Sequence, residues 1–301
     1  MAGIPFVKDI NFTYGAADVV APGVRRVIAE NPGPFTYTGS GTYIIGEGDV
    51  AVIDPGPDRD DHLKALLREL KDERVTHVLI THTHSDHCGL ARKFADATGA
   101  PVLGFSGHPV RNKNDDAPAL DEGADYSFTP DEFIGDGAIV EGSDWRIEAV
   151  HTPGHLSNHL CFALPSQKAL FTGDHMMGWA TTVVAPPDGD MGDYMNSLDA
   201  LLARDDEIYF PTHGAPIQKP RRFVRAVKTH RLMRDAQIID QIKKGRTTIK
   251  EIVPAMYADV DPRLHKAAAL NVFAHLIRLV RTGAVQCDGE PALDKNYTVQ
   301  V

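Results

Sequence analysis

Thr81-His82-Thr83-His84-Ser85-Asp86-His87 decides the reading of this chain. The run is an H-x-H-x-D-H pattern that directly follows the apolar segment Val75 to Ile80. Side chains of an extended segment alternate, so His82 and His84 point to one side. Asp86 and His87 open the next helical turn and face a second position beside the first. Three more residues of the same types follow downstream, each in a short Gly-containing loop after a predicted strand. They are His155 in Thr152-Pro153-Gly154-His155, Asp174 in Thr172-Gly173-Asp174, and His213 in Pro211-Thr212-His213-Gly214. Imidazoles and carboxylates without thiolate suit Zn²⁺, and also Fe²⁺ or Mn²⁺.

Seven such side chains are enough for two divalent ions. The spacing assigns His82, His84 and His155 to one ion and Asp86, His87 and His213 to the other. Asp174, with two oxygens, falls between them. Asp86 and Asp174 are the carboxylates expected at the reacting centre. A lone histidine is usually structural, and the chain has 14. The ordered match across four loops is far rarer than any one of them. Two ions roughly 3.5–4 Å apart share a hydroxide that serves as nucleophile at neutral pH. No Ser or Cys in a G-x-S-x-G context offers an alternative.

Outward from that loop the chain reads as β-β-β-α-β-α-β. Val24 to Ala29, Thr36 to Ile45 and Val50 to Ile53 are predicted strands with Gly-rich turns at Gly39-Ser40-Gly41 and Gly46-Glu47-Gly48, and Leu63, Leu66, Leu67 and Leu70 form one helical stripe. Ser85 and Asp86 are expected to cap a helix over Cys88 to Thr98. The polar stretch Gly107 to Gly137 reads as an elaborated loop over the site edge. Strands return at Trp145 to Val150, His159 to Leu164 and Ala169 to Thr172. A helix over 194–204 buries Met195, Leu198, Leu201 and Leu202, and Ile208 to Phe210 is the last strand. Two β-rich halves with helices outside predict an α+β sandwich of sheets covered by helices. Beyond Gln218-Lys219-Pro220, helices over Arg222 to Ile242, Ile249 to Met256 and Leu264 to Thr282 precede a hairpin of 283–285 with 297–299. That is the outline of a small winged helix, giving domains 1–217 and 218–301.

Hydrophobic content of 43% and charged content of 24% fit a soluble protein with a real core. No apolar run is long enough to span a bilayer. Met1 to Lys8 lacks the pattern of a secretory leader, and Cys88, Cys161 and Cys287 are too scattered for a disulfide framework. A cytoplasmic setting is therefore expected. The net charge of −10 argues against nucleic acid, but it is unevenly spread. Residues 1–215 carry −18 and residues 216–301 carry +8. A docking face between an acidic body and a basic appendage accounts for this, as would a nucleic-acid surface. Among other candidates, Asp54 is read as a brace for the metal loop, His151 as structural or bracing, and His159 as a strand residue. Cys88 reads as a small buried residue. His175 directly follows Asp174, a position from which it could reach the substrate cavity, with its role left open, and Tyr194 is read at the site edge or in the core.

These residues, in this order, resemble the metallo-β-lactamase superfamily over nearly the whole chain. The match runs from Gly39-Ser40-Gly41-Thr42-Tyr43 through Asp54-Pro55-Gly56 to Pro211-Thr212-His213-Gly214. Gly173 to Thr182, Asp193 to Leu198 and the winged-helix tail look like the β-lactamase-like protein 2 branch. The resemblance implies an αββα sandwich with a dimetal site, usually zinc, between its sheets. It also implies hydrolase activity. In that branch the best-studied relative is an endoribonuclease on single-stranded RNA, while other members hydrolyse thioesters, lactones or β-lactams. True β-lactamases lack the bridging carboxylate that Asp174 supplies. Glyoxalase II shares the seven ligand types, but its glutathione-binding residues do not map onto this tail.

Three functions follow as expectations. The first is a dinuclear zinc hydrolase of a small ester, thioester or lactone. The second is a metal-dependent ribonuclease acting on single-stranded RNA, aided by the +8 tail. The third is a nucleic-acid-binding module with a structural metal, disfavoured because structural zinc sites are closed and because Leu264 to Thr282 is mostly apolar. Lid formation or homodimerisation is the expected role of the tail.

Overall fold

The computed structural model describes residues 3–105, 123–258 and 264–299. Two sheets face each other. One runs in chain order through β1 (Ala17–Ala21), β2 (Val24–Ile28), β3 (Gly41–Ile45), β4 (Asp49–Ile53), β5 (Arg74–Leu79), β6 (Val102–Gly104) and β7 (Glu132–Phe133). The other comprises β8 (Ile139–Glu141), β9 (Arg146–His151), β10 (Leu160–Leu164), β11 (Ala169–Gly173), β12 (Ile208–Pro211) and β13 (Ile217–Gln218), ordered β13-β12-β11-β10-β9-β8.

The period-two alternation of these strands divides their side chains between cores. Tyr43, Ile45, Ala51 and Ile53 point inward and meet Leu160, Phe162, Leu164 and Phe171 of the opposite sheet. Ile44, Val50 and Val52 point outward, onto α1 (Asp60–Glu69) and α3 (Ala91–Thr98). Cys161, Ala163 and Leu170 face the other way, onto α4 (Met191–Ala203) and α5 (Pro220–Lys243). The result is the expected αββα sandwich.

Where the structure departs from the sequence reading, the cause is local. The turn expected at Gly39-Ser40-Gly41 begins earlier, with Tyr37 as well as Gly39 at positive φ, so Thr36 to Thr38 are not strand and β3 begins only at Gly41. The expected helix from Cys88 is two pieces, α2 (Ser85–Cys88) and α3, joined through Gly89 and Leu90. Ser85 and Asp86 lie inside α2 and cap nothing, because His84 holds the N-cap position. The two short edge strands β7 and β13 and the opening strand β1 have too little pattern to be read. Residues 107–122 of the expected polar loop lie outside the described residues. Beyond them the chain returns to the histidine loop, where Ala124 bridges His84.

At the C-terminus, α6 (Ile249–Met256) starts at a capping box of Thr248 and Glu251. α7 (His265–Arg281) follows, and β14 (Gln286–Cys287) pairs with β15 (Tyr297–Thr298). The hairpin lies later than expected because Gly283 to Val285 close the end of α7, with their N–H groups bonded back to Val280 and Leu279. Val285 and Tyr297 instead complete a core with Ile238, Ile252 and Leu276. This tail is not a loose appendage. Phe223, Val224 and Val227 of α5 and Ala274 of α7 pack into the same cluster as Tyr194 and Leu198 of α4. No described helix is long and apolar enough to cross a membrane.

Because that cluster is shared, Phe223→Ala should destabilise the whole chain by about 3–5 kcal/mol, the usual cost of emptying a buried phenylalanine site. Urea unfolding should still show one transition, and a tail that melts separately would contradict the shared core.

Candidate metal centre

All three loops beyond the histidine motif open at the same edge of the sandwich. β4 and β5 are parallel, as are β11 and β12, so the ends of all four strands deliver their loops to one side. Two glycines permit the approach. Gly154 has φ +137, and a Cβ there would lie 2.4 Å from the Tyr194 backbone. At Gly173, with φ +48, a Cβ would meet His159 Nε2 at 2.6 Å. Cross-sheet hydrogen bonds then lock the last loop: Tyr43 donates its hydroxyl to Pro211 O at 2.7 Å, and Gly41 N–H to Thr212 O at 2.9 Å.

The seven expected side chains converge. His82 Nε2 lies 2.9 Å from His84 Nδ1, which lies 3.0 Å from His155 Nε2. His82, His84, His155 and Asp174 form one group, and Asp86, His87 and His213 form another, each with its candidate donor atoms within 4.8 Å of one another. Asp174 stands between them. Its Oδ1 is 3.5 Å from His87 Nε2 and 3.3 Å from His213 Nε2, while its Oδ2 is 3.7 Å from His155 Nε2. Asp86 Oδ2 is 3.2 Å from His213 Nε2.

The outer ring nitrogens fix how these imidazoles present themselves. His155 Nδ1 donates to Val183 O at 2.7 Å and His213 Nδ1 to Gly39 O at 3.2 Å. His87 Nδ1 donates to Asp54 Oδ2 at 2.7 Å. Thr81 Oγ1 gives its own proton to Asp54 at 2.7 Å and so accepts from His82 Nδ1 at 3.0 Å. In each neutral ring the inner Nε2 is therefore left with a lone pair, the arrangement that suits a metal ligand. His87 Nε2 and Asp174 Oδ1 are buried without a hydrogen-bond partner. These unpaired inward atoms, in an all-nitrogen-and-oxygen donor set, fit divalent cations.

Electrostatics divide the group in two. Burial and neighbouring rings push His84 down to about 3 and hold His82 well below the usual imidazole range. Burial alone would also lower His213, but Asp174 and Asp86 outweigh it and raise it to about 9. His87 is likewise raised, by Asp86, Asp174 and Asp54 against burial. Asp86 and Asp174 are held below the usual carboxylate range, because the cationic rings beside them outweigh the cost of burial. Without cations, protons on His87 and His213 do the compensating.

Asp54 braces the loop as expected. At φ +50 it closes β4 and accepts from the Thr81 N–H at 2.8 Å as well as from Thr81 Oγ1 and His87. His151 stands outside the cluster, stacked on Phe105 and bonded to Ser157 O. His159 accepts from the Asp174 N–H at 3.2 Å and so steadies that carboxylate's backbone. Cys88 is buried. Tyr194 belongs to the core, its hydroxyl bonded to His175 O. His175 corrects the expectation placed on it: it is fully buried against Tyr194, behind Asp174, and does not border the cavity. Ser40 was missed. Its Oγ donates to Asp86 Oδ2 at 2.8 Å from the Gly39-Ser40-Gly41 turn. The Gly39 and Val183 carbonyls have no sequence signal, since any residue carries one.

The two groups floor a cavity of about 640 Å³, bordered by His84, Asp86, His155, Asp174 and His213. Its other walls are mostly apolar and include residues of α5 and α7.

A profile of the metallo-beta-lactamase superfamily matches residues 37–213, and one of the beta-lactamase associated winged helix domain matches residues 248–294. An atrochrysone carboxyl ACP thioesterase of Aspergillus chevalieri is 31% identical, over 83% of this chain and 78% of its own length. A beta-lactamase-like protein 2 homolog of Caenorhabditis elegans is 30% identical, over 87% of this chain and 86% of its own. The crystal structure of a beta-lactamase domain protein from Burkholderia ambifaria shares the fold, with TM-score 0.79, 19% identity and coverage of 97% and 96%. With its histidine loop, sandwich and tail thus matched, the chain belongs to the metallo-beta-lactamase superfamily of metallo-hydrolases and carries that superfamily's associated winged helix.

Proposed function

We propose that this protein is a dinuclear metal-dependent hydrolase of a small thioester or ester, with zinc as its working metal. The observation that carries the reading is the pair of donor groups joined by Asp174, open to an apolar cavity large enough for a small organic substrate. Members of this superfamily typically bind two metal ions. The thioesterase name of the Aspergillus relative favours a thioester over a lactone.

His82, His84 and His155 would hold one ion, Asp86, His87 and His213 the other, with Asp174 shared. When bound, such a pair supplies a water made nucleophilic at neutral pH and polarises the substrate carbonyl. The chain's own part is positioning and charge. Ser40 and the paired rings hold Asp86 ionised at the cavity floor, and the His159 ring holds the backbone of Asp174 in place. These two carboxylates border the cavity and are placed to accept a proton from the attacking water. The water oxygen bonds to the acyl carbon, the C–S or C–O bond breaks, and the leaving thiol or alcohol takes a proton. The apolar walls exclude competing solvent.

Metal analysis coupled to a substrate panel tests this. Purified protein should contain about two divalent ions per chain, the number seven donors imply. It should cleave acyl thioesters, lose that activity to a chelator, and regain it with Zn²⁺. Stoichiometric metal with turnover of single-stranded RNA and of no ester or thioester would overturn the substrate class. Asp174→Ala should lose both metal and turnover, whereas Asp54→Asn should cost about 10–100-fold in metal affinity or activity, as supporting residues do. Full metal content in Asp174→Ala would contradict its shared position. His155→Ala should be far more damaging than His151→Ala, and equal losses would remove His155 from the ligand set.

A further inference from the structure

The cavity has a second pole that the hydrolytic reading leaves unused. Apart from Asp86 and Asp174 at its floor, no acidic residue among the described residues borders it, yet the α5 wall brings Arg231, Arg234 and His230 to it. Arg231 is only 1% exposed. Its Nη2 donates to Thr182 O and its guanidinium lies 5.1 Å over the Tyr194 ring, but its Nε has no partner. No described carboxylate pairs with it, although the tail has such pairs elsewhere, as between Arg278 and Asp235. A buried guanidinium without a counter-ion is costly.

Arg234 stands one helical turn further on. It stacks on Tyr257 at 4.7 Å and bonds Gln237 at 2.9 Å, also without a described carboxylate partner. The stacking holds the guanidinium in place rather than neutralising it. His230 Nδ1 is a second buried polar atom without a partner, beside Arg231 Nε. Two arginines without a carboxylate partner among the described residues, on one wall of the cavity, are donors arranged for an anion.

The walls around them define the rest of the ligand. Phe35, Met177, Val183 and Leu264 offer apolar surface, and Trp179 adds an aromatic ring whose Nε1 has no hydrogen-bond partner. A nucleic-acid strand needs a continuous basic track with open stacking faces. A mostly apolar cavity whose basic side chains are confined to one wall does not provide that.

We infer that Arg234, supported by Arg231, binds an anionic group of the substrate remote from the scissile bond, so that the preferred substrate is a thioester or ester with an apolar body and a carboxylate or phosphate. The inference rests on the hydrolytic reading for which bond is cut, but not for the anion preference itself. The anion has two chemical sources: a carboxylate on the acyl group, or the phosphate of a phosphopantetheine thiol.

Matched substrates separate them. Hexanoyl-N-acetylcysteamine is neutral, adipoyl-N-acetylcysteamine adds a terminal carboxylate, and hexanoyl-phosphopantetheine places the charge on the thiol. The metal-loaded enzyme should prefer one charged substrate over the neutral one by about tenfold or more in kcat/KM, on the scale of one charged hydrogen-bonded contact. Arg234→Gln should bring that ratio close to one, and Arg234→Lys should restore part of it. Calorimetric binding of thioether analogues, with and without the anionic group, gives the same comparison without turnover. If no panel member is hydrolysed while the anionic analogue still binds in an Arg234-dependent way, the hydrolytic reading fails and the anion pole stands. Equal affinity for charged and neutral analogues in the unmodified protein, or a preference that survives Arg234→Gln, would overturn the inference.

Discussion

Two buried carboxylates that share one small space with five imidazoles set the terms for everything around them. Asp86 and Asp174 cannot stay ionised at such burial unless positive charge lies against them. Without cations, His87 and His213 provide it as protonated rings. With cations, the same rings must give up those protons before their inner nitrogens can ligate, so occupancy and protonation exclude one another. His82, His84 and His155 are already neutral and ready. The centre is thus electrostatically unequal: one group is prepared for a cation, and the other must exchange protons for one.

That arrangement survives only because the loops cannot relax away from it. The Asp54 carboxylate ties the end of β4 to Thr81 and His87 at once. Thr212 and Pro211, from the opposite sheet, are tied by their carbonyls to Gly41 and Tyr43. Arg26, buried in the first sheet, donates to Gly214 O at 3.2 Å. Each tie runs from one sheet or loop to another, so separating the sheets and dispersing the donors are the same event. Fold and site are coupled through hydrogen bonds that neither sheet makes alone.

Most of the donor set was legible because its residue types are rare together and each follows a strand. The αββα layering was legible because alternation in β3, β4, β10 and β11 sends every second residue to a different core. What could not be read was backbone. Ser40 reaches Asp86 only because Tyr37 and Gly39 bend the chain at positive φ, and the Gly-rich turn legible at Gly39-Ser40-Gly41 does not tell where the Ser40 hydroxyl points. The carbonyls of Gly39 and Val183 that orient His213 and His155 are invisible for the same reason. His175 was misplaced because adjacency to Asp174 suggested shared direction. The two residues share a turn closed by the His175 N–H on Thr172 O, and the His175 ring turns into the core against Tyr194.

The charge asymmetry of the sequence acquires a physical meaning at the junction of body and tail. Lys228 pairs with Asp199 of α4, and Arg281 pairs with Asp190, whose carboxylate also caps α4. The N–H of Asp190 bonds to Gly154 O, next to His155. A basic tail is therefore held on an acidic body by contacts that end one residue from the metal loop. Surface pairs of this kind contribute little to stability singly. Their value is in aim, since they seat α5 and α7 with Arg231 and Arg234 at the cavity wall. Of the +8 carried by the tail, part serves this docking, and part lines the cavity, where no carboxylate among the described residues pairs with it.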